Sequence, residues 1–244
     1  MRISGVCIGM AILTACFART AFADDTSWFR ENFSYWMEIA YNGEYDSCKM
    51  VIDNLYVLAT NKKIWGNDNQ TMDVITYLGQ LGSEMKVKTT TGSQDFASIR
   101  MKSAQTLGAI GGDYARVCVI RIVDAEKYTA NVSVITACLN ALKRLGNDKS
   151  NSALKTIRFI YDYMPKQETG EEMESLNAYI QCADQLAKNA PMNVVTAFEI
   201  IASLNDLNNE DSNYRVYPQE IRRAAKAALI DIAESRHETN VNAH

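Results

Sequence analysis

One apolar pattern decides the fold. Residues 99–111 read IRMKSAQTLGAIG, and the pattern returns as VITACLNALKRLG at 134–146 and as IRRAAKAALIDIA at 221–233. Each copy begins with a branched apolar residue, has small residues four positions later and five or seven positions later, and has Leu at eight and Leu or Ile at eleven. This spacing follows the 3.6-residue turn of an α-helix. The small residues form a flat, narrow helix face and predict that a neighbouring helix packs closely there.

Helical spacing of apolar residues continues almost throughout the chain after residue 26, and no stretch has the alternation typical of a β-strand. Only 12 Gly and 3 Pro occur in 244 residues, which argues against a turn-rich β fold. The sequence therefore predicts an all-α fold. The predicted helices lie near 27–41, 45–60, 70–85, 96–110, 113–126, 131–146, 151–164, 171–189, 192–205 and 218–235.

The distances between the copies predict repeated two-helix units. The first two copies begin 35 residues apart and the last two begin 87 apart, which leaves room for a weaker copy over 175–187. A helix pair of this size buries its apolar face only against its neighbours. The pairs are therefore expected to stack into a curved rod.

At these residues the chain resembles the HEAT-repeat family, whose second helix carries a Val-Arg-x-x-Ala-Ala-x-Ala-Leu-Gly-x-Ile-Gly pattern. The nearest matches are 99–111 and 221–233, and the resemblance covers roughly residues 70–235. It implies a right-handed α-solenoid of about five antiparallel helix pairs over residues 24–235. The segment 43–48 is more similar to the turn between the helices of a tetratricopeptide repeat, so the first pair is expected to differ from the others.

The first 23 residues are typical of a secretory signal peptide. Arg2 is followed by a short apolar run, and Ala21-Phe22-Ala23 forms a small-x-small cleavage site. The alternative is the lipobox of a lipoprotein over 13–16, in which Cys16 carries the lipid. Either interpretation predicts an exported protein, periplasmic or secreted in the first case and lipid-anchored to the cell envelope in the second. Membrane association is expected only if Cys16 is lipidated.

Charge and histidine content exclude several functions. The formal net charge of −4 gives no basic footprint for nucleic acid, so no nucleic-acid partner is expected. The only histidines are His237 and His244, in a polar segment over 236–244 that lacks an apolar anchor and is predicted to be a disordered tail. We therefore expect no catalytic residue, no metal site and no cofactor.

The paired carboxylates that general acid–base chemistry needs occur at the start of one predicted helix, as Glu171, Glu172 and Glu174. Adjacent acids in a first helical turn usually complement the positive end of the helix dipole. We interpret these three in that way, and not as catalytic groups.

The body of the chain has four cysteines, Cys48, Cys118, Cys138 and Cys182, with no close Cys-x-x-Cys pair. Cys118 and Cys138 lie at level positions of two successive predicted helices, so a disulfide between them is an alternative for an exported protein. The favoured interpretation is that all four are buried thiols in a small-residue core.

The candidate partner-binding residues are cations and aromatic side chains. Second helices of HEAT pairs line the concave surface, and a basic groove there would receive an acidic or extended segment of a protein partner. An aromatic cluster near residue 30 is interpreted first as the seal at the end of the stack, with docking of a partner as the alternative. The candidates are Arg100, Lys102, Arg222, Arg223, Lys226, Trp28 and Trp36.

The sequence therefore predicts an exported, non-catalytic scaffold or adaptor that binds another protein through a curved surface. One alternative is a structural component of the cell envelope anchored by lipid at Cys16. The other is an enzyme, because HEAT-like repeats also occur in lyases that attach bilin chromophores to cysteine.

Overall fold

The computed structural model describes residues 33–64, 66, 68–83, 96–166, 170–190, 195–210 and 216–241, with side chains as far as Arg236. Three predictions lie outside the described residues: the signal peptide over 1–23, the lipidation of Cys16 and the docking role of Trp28.

Ten α-helices occur within the described residues and no β-strand does, which confirms the all-α prediction. They are α1 Phe33–Asn42, α2 Tyr45–Thr60, α3 Asn69–Gln80, α4 Ala97–Ile110, α5 Asp113–Glu126, α6 Val132–Leu145, α7 Ser152–Tyr163, α8 Gly170–Lys188, α9 Val195–Asn208 and α10 Gln219–Val241.

The helices pack on one another in two series. In the even series (α2, α4, α6, α8 and α10) each helix contacts the next even-numbered helix, and the odd series (α1, α3, α5, α7 and α9) follows the same rule. Each helix also contacts its neighbours in the chain, so the two series share one apolar core. The three copies of the apolar pattern lie in α4, α6 and α10, and all belong to the even series.

The small residues of the pattern allow the close packing that the sequence predicts between α4 and α6. A Cβ added at Gly108 of α4 would lie 3.0 Å from the Cβ of Ala141 and 3.1 Å from its Cα. The small-residue face of α4 therefore packs directly against the small-residue face of α6. Cys138, one turn before Ala141, is fully buried beside this contact.

The C-terminal helix corrects the prediction of a disordered tail from residue 236. α10 continues to Val241, and Arg236 is buried although it carries a charge. Its guanidinium donates a hydrogen bond to the carbonyl oxygen of Ala187 (3.3 Å) and lies 5.6 Å from the centre of the Phe198 ring. The long apolar stem of an arginine can anchor a helix end. The sequence prediction counted only apolar residues as anchors and therefore did not include Arg236.

The turn between α6 and α7 is organised by Asp148. Its carboxylate accepts hydrogen bonds from the backbone N–H and the hydroxyl of Ser152, both at 2.8 Å, and from the Ser150 hydroxyl at 3.0 Å. Partial burial opposes ionisation of Asp148, but these hydrogen bonds and the nearby charge of Arg116 outweigh it and lower its pKa to about 2.

Replacing Asp148 by Asn is expected to lower the free energy of unfolding by about 1–2 kcal/mol at pH 7, because a pKa shift is a difference in stability and this side chain is partly screened by solvent. The pKa of Asp148 is lowered in the folded state. The stabilisation is therefore complete above the ordinary aspartate pKa of about 4 and is lost as the pH falls toward 2. Urea unfolding of both proteins at several pH values measures the difference, and a difference that persists at pH 2 contradicts this assignment.

Candidate functional site

Arg100 does not belong to a binding groove. Its side chain is only 3% exposed, and its Nε lies 3.0 Å from the Glu126 Oε2 of α5. A second nitrogen donates to the carbonyl oxygen of Leu81 at 3.1 Å. This corrects the prediction that Arg100 contacts a partner, because a side chain that is 3% exposed and ties α4 to α5 and to the end of α3 offers a partner almost no surface.

Glu126 completes this buried network. Its Oε1 accepts hydrogen bonds from the backbone N–H of Asn131 (2.8 Å) and from the Thr129 hydroxyl. Asn131 also caps α6, since its side chain accepts from the N–H of Val134 at 3.2 Å. The Arg100–Glu126 pair therefore fixes the α5–α6 turn, and its role is structural.

Two other predicted cations are held by the protein itself. Lys102 lies 3.6 Å from Asp53 of α2 and 4.3 Å from the centre of the Tyr56 ring. Arg222 donates to the Tyr217 carbonyl oxygen (3.1 Å) and to the Glu210 carboxylate (2.6 Å). Both side chains are partly exposed, but their charges are already compensated.

Arg223 and Lys226 remain exposed on α10, and neither forms an ion pair within the described part of the chain. α10 contacts α8 and α9, whereas Lys102 lies on α4, with α6 and α8 between the two helices in the even series. The structure therefore buries Arg100 and places Lys102 apart from Arg223 and Lys226, so the five predicted cations do not form one cluster, and partner binding by the exposed cations stays a prediction.

The described part of the aromatic cluster favours the sealing role. Trp36 is only 2% exposed and belongs to the core, so it is not available as a docking anchor. The Tyr35 ring lies 5.7 Å from it, and the Tyr41 ring contacts the edge of Tyr77 at 4.5 Å. Tyr35 and Tyr41 are the exposed members of the group.

The four cysteines of the body are buried free thiols, and Cys118 and Cys138 form no disulfide. Burial raises the pKa of all four, to about 11 for Cys48, where the charge of Glu44 adds to the effect, and to about 12 for Cys182. A thiol is nucleophilic only as the thiolate, so these positions are poor nucleophiles in the folded protein.

Alkylation at pH 8 is expected to modify these four cysteines at least about 100-fold more slowly in the folded protein than in urea, because both access and thiolate content are reduced. Peptide mapping by mass spectrometry after timed iodoacetamide treatment measures each site separately. Rapid modification of Cys138 in the folded protein would contradict the packing of α6 described above.

A cleft of about 180 Å³ crosses α4, α6 and α8 on the even series. Met101 and Gln105 of α4 form one side, residues of α6 form the floor, and Glu171 and Glu174 of α8 form the other side. The lining residues from α6 are Val132, Ser133, Thr136, Ala137 and Asn140.

The polar groups of the cleft are free to bind. The structure gives no side-chain hydrogen bond or ion pair for Gln105, Ser133, Asn140, Glu171 or Glu174 within the described residues. Thr136 is only 8% exposed, yet its hydroxyl also has no partner there, whereas Thr76, Thr106 and Thr156 each donate to the carbonyl four residues earlier. The cleft therefore combines two carboxylates with hydroxyl and amide groups that no other part of the described chain satisfies.

This cleft was missed by the sequence interpretation, which assigned Glu171 and Glu174 to the helix dipole. A usable signal was present in the copies of the apolar pattern. Counting from the first residue of each copy, Met101 and Thr136 both stand two positions later, and Gln105 and Asn140 both stand six positions later. These positions share one face of a helix. Polar residues at position six in two adjacent copies indicate a shared surface.

Two kinds of feature do not occur in the described residues. No cluster of three or more histidine, cysteine, aspartate or glutamate side chains there has an arrangement that could hold a metal ion. None of the described helices is both long enough and apolar enough to cross a bilayer.

Comparisons with models of known protein families, with curated proteins and with solved structures find no match to this chain. The resemblance to HEAT repeats therefore stays a prediction from the sequence. The class that the fold defines is an all-helical protein with a polar cleft on one of its two helix series.

Proposed function

We propose that the chain is an α-solenoid of five helix pairs, α1–α2 to α9–α10, that works as a non-catalytic scaffold and binds another protein along its even series. The observation that carries this proposal is the order of packing. Each even-numbered helix contacts the next, as expected where repeated pairs stack in a row. A row of five helices offers an extended surface for a partner.

Polar contacts between neighbouring helices support a single continuous surface on the even series. Lys143 of α6 donates to the Gln181 side chain of α8 at 2.8 Å, and Lys188 of α8 lies 3.1 Å from Asp231 of α10. The Lys102–Asp53 pair joins α4 to α2 in the same way. These bridges cross three of the four junctions in the series.

Charge is distributed unevenly along this surface. The cleft over α4, α6 and α8 carries Glu171 and Glu174, whereas α10 presents the exposed cations Arg223 and Lys226 beside exposed acids, so its charge is mixed. Ile230, on the same helix as these cations, is 48% exposed. A protein partner with a basic segment would be oriented by the acidic cleft, while a few buried side chains supply most of the affinity.

We also propose that the protein is exported after cleavage behind Ala23 and acts outside the cytoplasm. The support is the signal-like segment over 1–23. Mass spectrometry of the mature N-terminus tests this directly. Asp24 as the first residue supports the soluble exported form, and a lipid-modified Cys16 supports the anchored envelope component.

Site-specific photo-cross-linking tests the binding surface. Benzoylphenylalanine replaces Gln181 of α8 or Arg223 of α10, and in a control it replaces Lys155, which is exposed on α7 of the odd series. We expect one covalent product with a protein of the exported fraction from the two even-series positions and none from Lys155. A product obtained only from Lys155 contradicts the assignment of the surface.

A further inference from the structure

The size of the cleft limits what it can hold. Pockets for small organic ligands usually enclose about 300–1,000 Å³ and bury most of the ligand. The cleft encloses about 180 Å³ and lies open on the even series. Its volume suits a single side chain that a partner inserts and does not suit a whole cofactor.

The chemistry of the lining selects a long cationic side chain. Glu171 and Glu174 stand three positions apart on α8, so they lie on the same face of the helix, and both line the cleft. Gln105 and Asn140 add amide oxygens on the opposite side and on the floor. Met101, Val132 and Ala137 provide apolar surface for the stem of the incoming group. The site is therefore lined both by hydrogen-bond acceptors and by apolar side chains.

An arginine side chain fits this set better than a lysine side chain. A guanidinium presents five N–H donors in a plane and pairs with a carboxylate through two parallel hydrogen bonds, whereas an ammonium is a compact charge with three donors. The acceptors lie on three different helices, which suits a planar group that donates in several directions. Thr136 is only 8% exposed, and its hydroxyl, which has no partner in the described chain, is a further acceptor on the floor.

We propose that this cleft binds one arginine side chain presented by the protein partner, with Glu171 and Glu174 as the charged acceptors. The proposal rests on the proposed scaffold function and names the chemistry that its partner must carry. It replaces the basic groove expected from the sequence by an acidic site that recognises a basic residue.

The probe is the pentapeptide acetyl-Ala-Ala-Arg-Ala-Ala-amide, titrated into the isotope-labelled protein and followed by NMR chemical shifts. The matched probe carries citrulline, which has the shape of arginine without its charge. We expect saturable shifts at residues of α4, α6 and α8 around the cleft, with a Kd of about 1 mM or lower for arginine and at least tenfold weaker binding for citrulline, because one charged hydrogen-bonded contact supplies about that ratio.

Two variants test the acceptors. Glu171→Gln with Glu174→Gln should weaken binding of the arginine peptide about tenfold or more, while Glu220→Gln, on the exposed start of α10, should leave it unchanged. Absence of saturable shifts, equal binding of the two peptides, or full binding to the double variant overturns the proposal. The proposed scaffold function is tested separately by cross-linking from Gln181 and Arg223, so a cross-linked partner without peptide binding removes only the arginine site.

Discussion

Replacing Glu126 by Ala is expected to lower the free energy of unfolding by about 3–5 kcal/mol, enough to remove a large part of the stability of an ordinary domain. The substitution leaves the Arg100 guanidinium buried at 3% exposure without its carboxylate. It also removes the acceptor for the backbone N–H of Asn131, where α6 begins. Chemical denaturation at pH 7 measures the loss.

Two controls separate this effect from general sensitivity. The Lys49–Asp53 pair on α2 is about half exposed on both sides, so Lys49→Ala should cost no more than about 1 kcal/mol. Arg100→Met combined with Glu126→Leu removes both charges at once and should be less destabilised than Glu126→Ala alone. If Glu126→Ala costs as little as Lys49→Ala, the pair is not buried as described.

Replacing Gly108 by Val is expected to destabilise the protein by about 2–3 kcal/mol, the upper part of the range for overpacked positions. A Cβ at this position already meets the Ala141 Cα at 3.1 Å, and a backbone atom cannot turn away as a side chain can. The added methyl groups must therefore push α4 and α6 apart. Thermal and urea unfolding of the variant measure the cost.

Gly170→Val is the matched control for this prediction. Gly170 lies at the start of α8 and nothing approaches its Cβ position within 4 Å, so the expected change is within about 0.5 kcal/mol. A double-mutant cycle of Gly108→Ala with Ala141→Gly adds a direct test. Removing the Ala141 methyl group should make the alanine at 108 easier to accept by about 0.5–1 kcal/mol, and zero coupling would mean that the two positions do not touch.

Much of the helical architecture could be predicted because it follows from local pattern. The apolar period and the placement of glycine predicted α2 over 45–60 and α5 over 113–126 at their observed bounds. The small residues in two copies of the apolar pattern also predicted that α4 and α6 pack closely. A helix face without large side chains leaves a void unless a neighbouring helix fills it, and protein interiors contain few voids. The contact between Gly108 of α4 and Ala141 of α6 is this close packing.

The roles of single charged residues could not be predicted in the same way. Arg100 and Arg222 occupy the same position in their copies of the apolar pattern, yet Arg100 is buried against Glu126 and Arg222 lies near the surface. The difference depends on a carboxylate that is 26 residues away from Arg100 in sequence. Arg236 was assigned to a tail for the same reason, since its acceptor at Ala187 belongs to another helix.

The cleft depends on three helices at once, and that is why the acids at the start of α8 were assigned to the helix dipole alone. The dipole of α8 favours an acid at Glu171 whether or not α6 lies beside it. Only the packing of α8 on α6 and of α6 on α4 brings Glu171 and Glu174 near Thr136 and Gln105.

The central claim is that the helix pairs stack in a row, and a distance measured across the even series tests it most directly. Spin labels at Lys49→Cys on α2 and Lys226→Cys on α10 are separated by four successive helix contacts, whose axes usually lie 8–10 Å apart. The stacked row predicts a separation of about 30–40 Å by pulsed electron paramagnetic resonance. Moving the first label to Ser133→Cys on α6 should shorten it to about half. A separation below about 20 Å between α2 and α10 would mean that the ends of the series meet in a closed globule, and the account would be wrong.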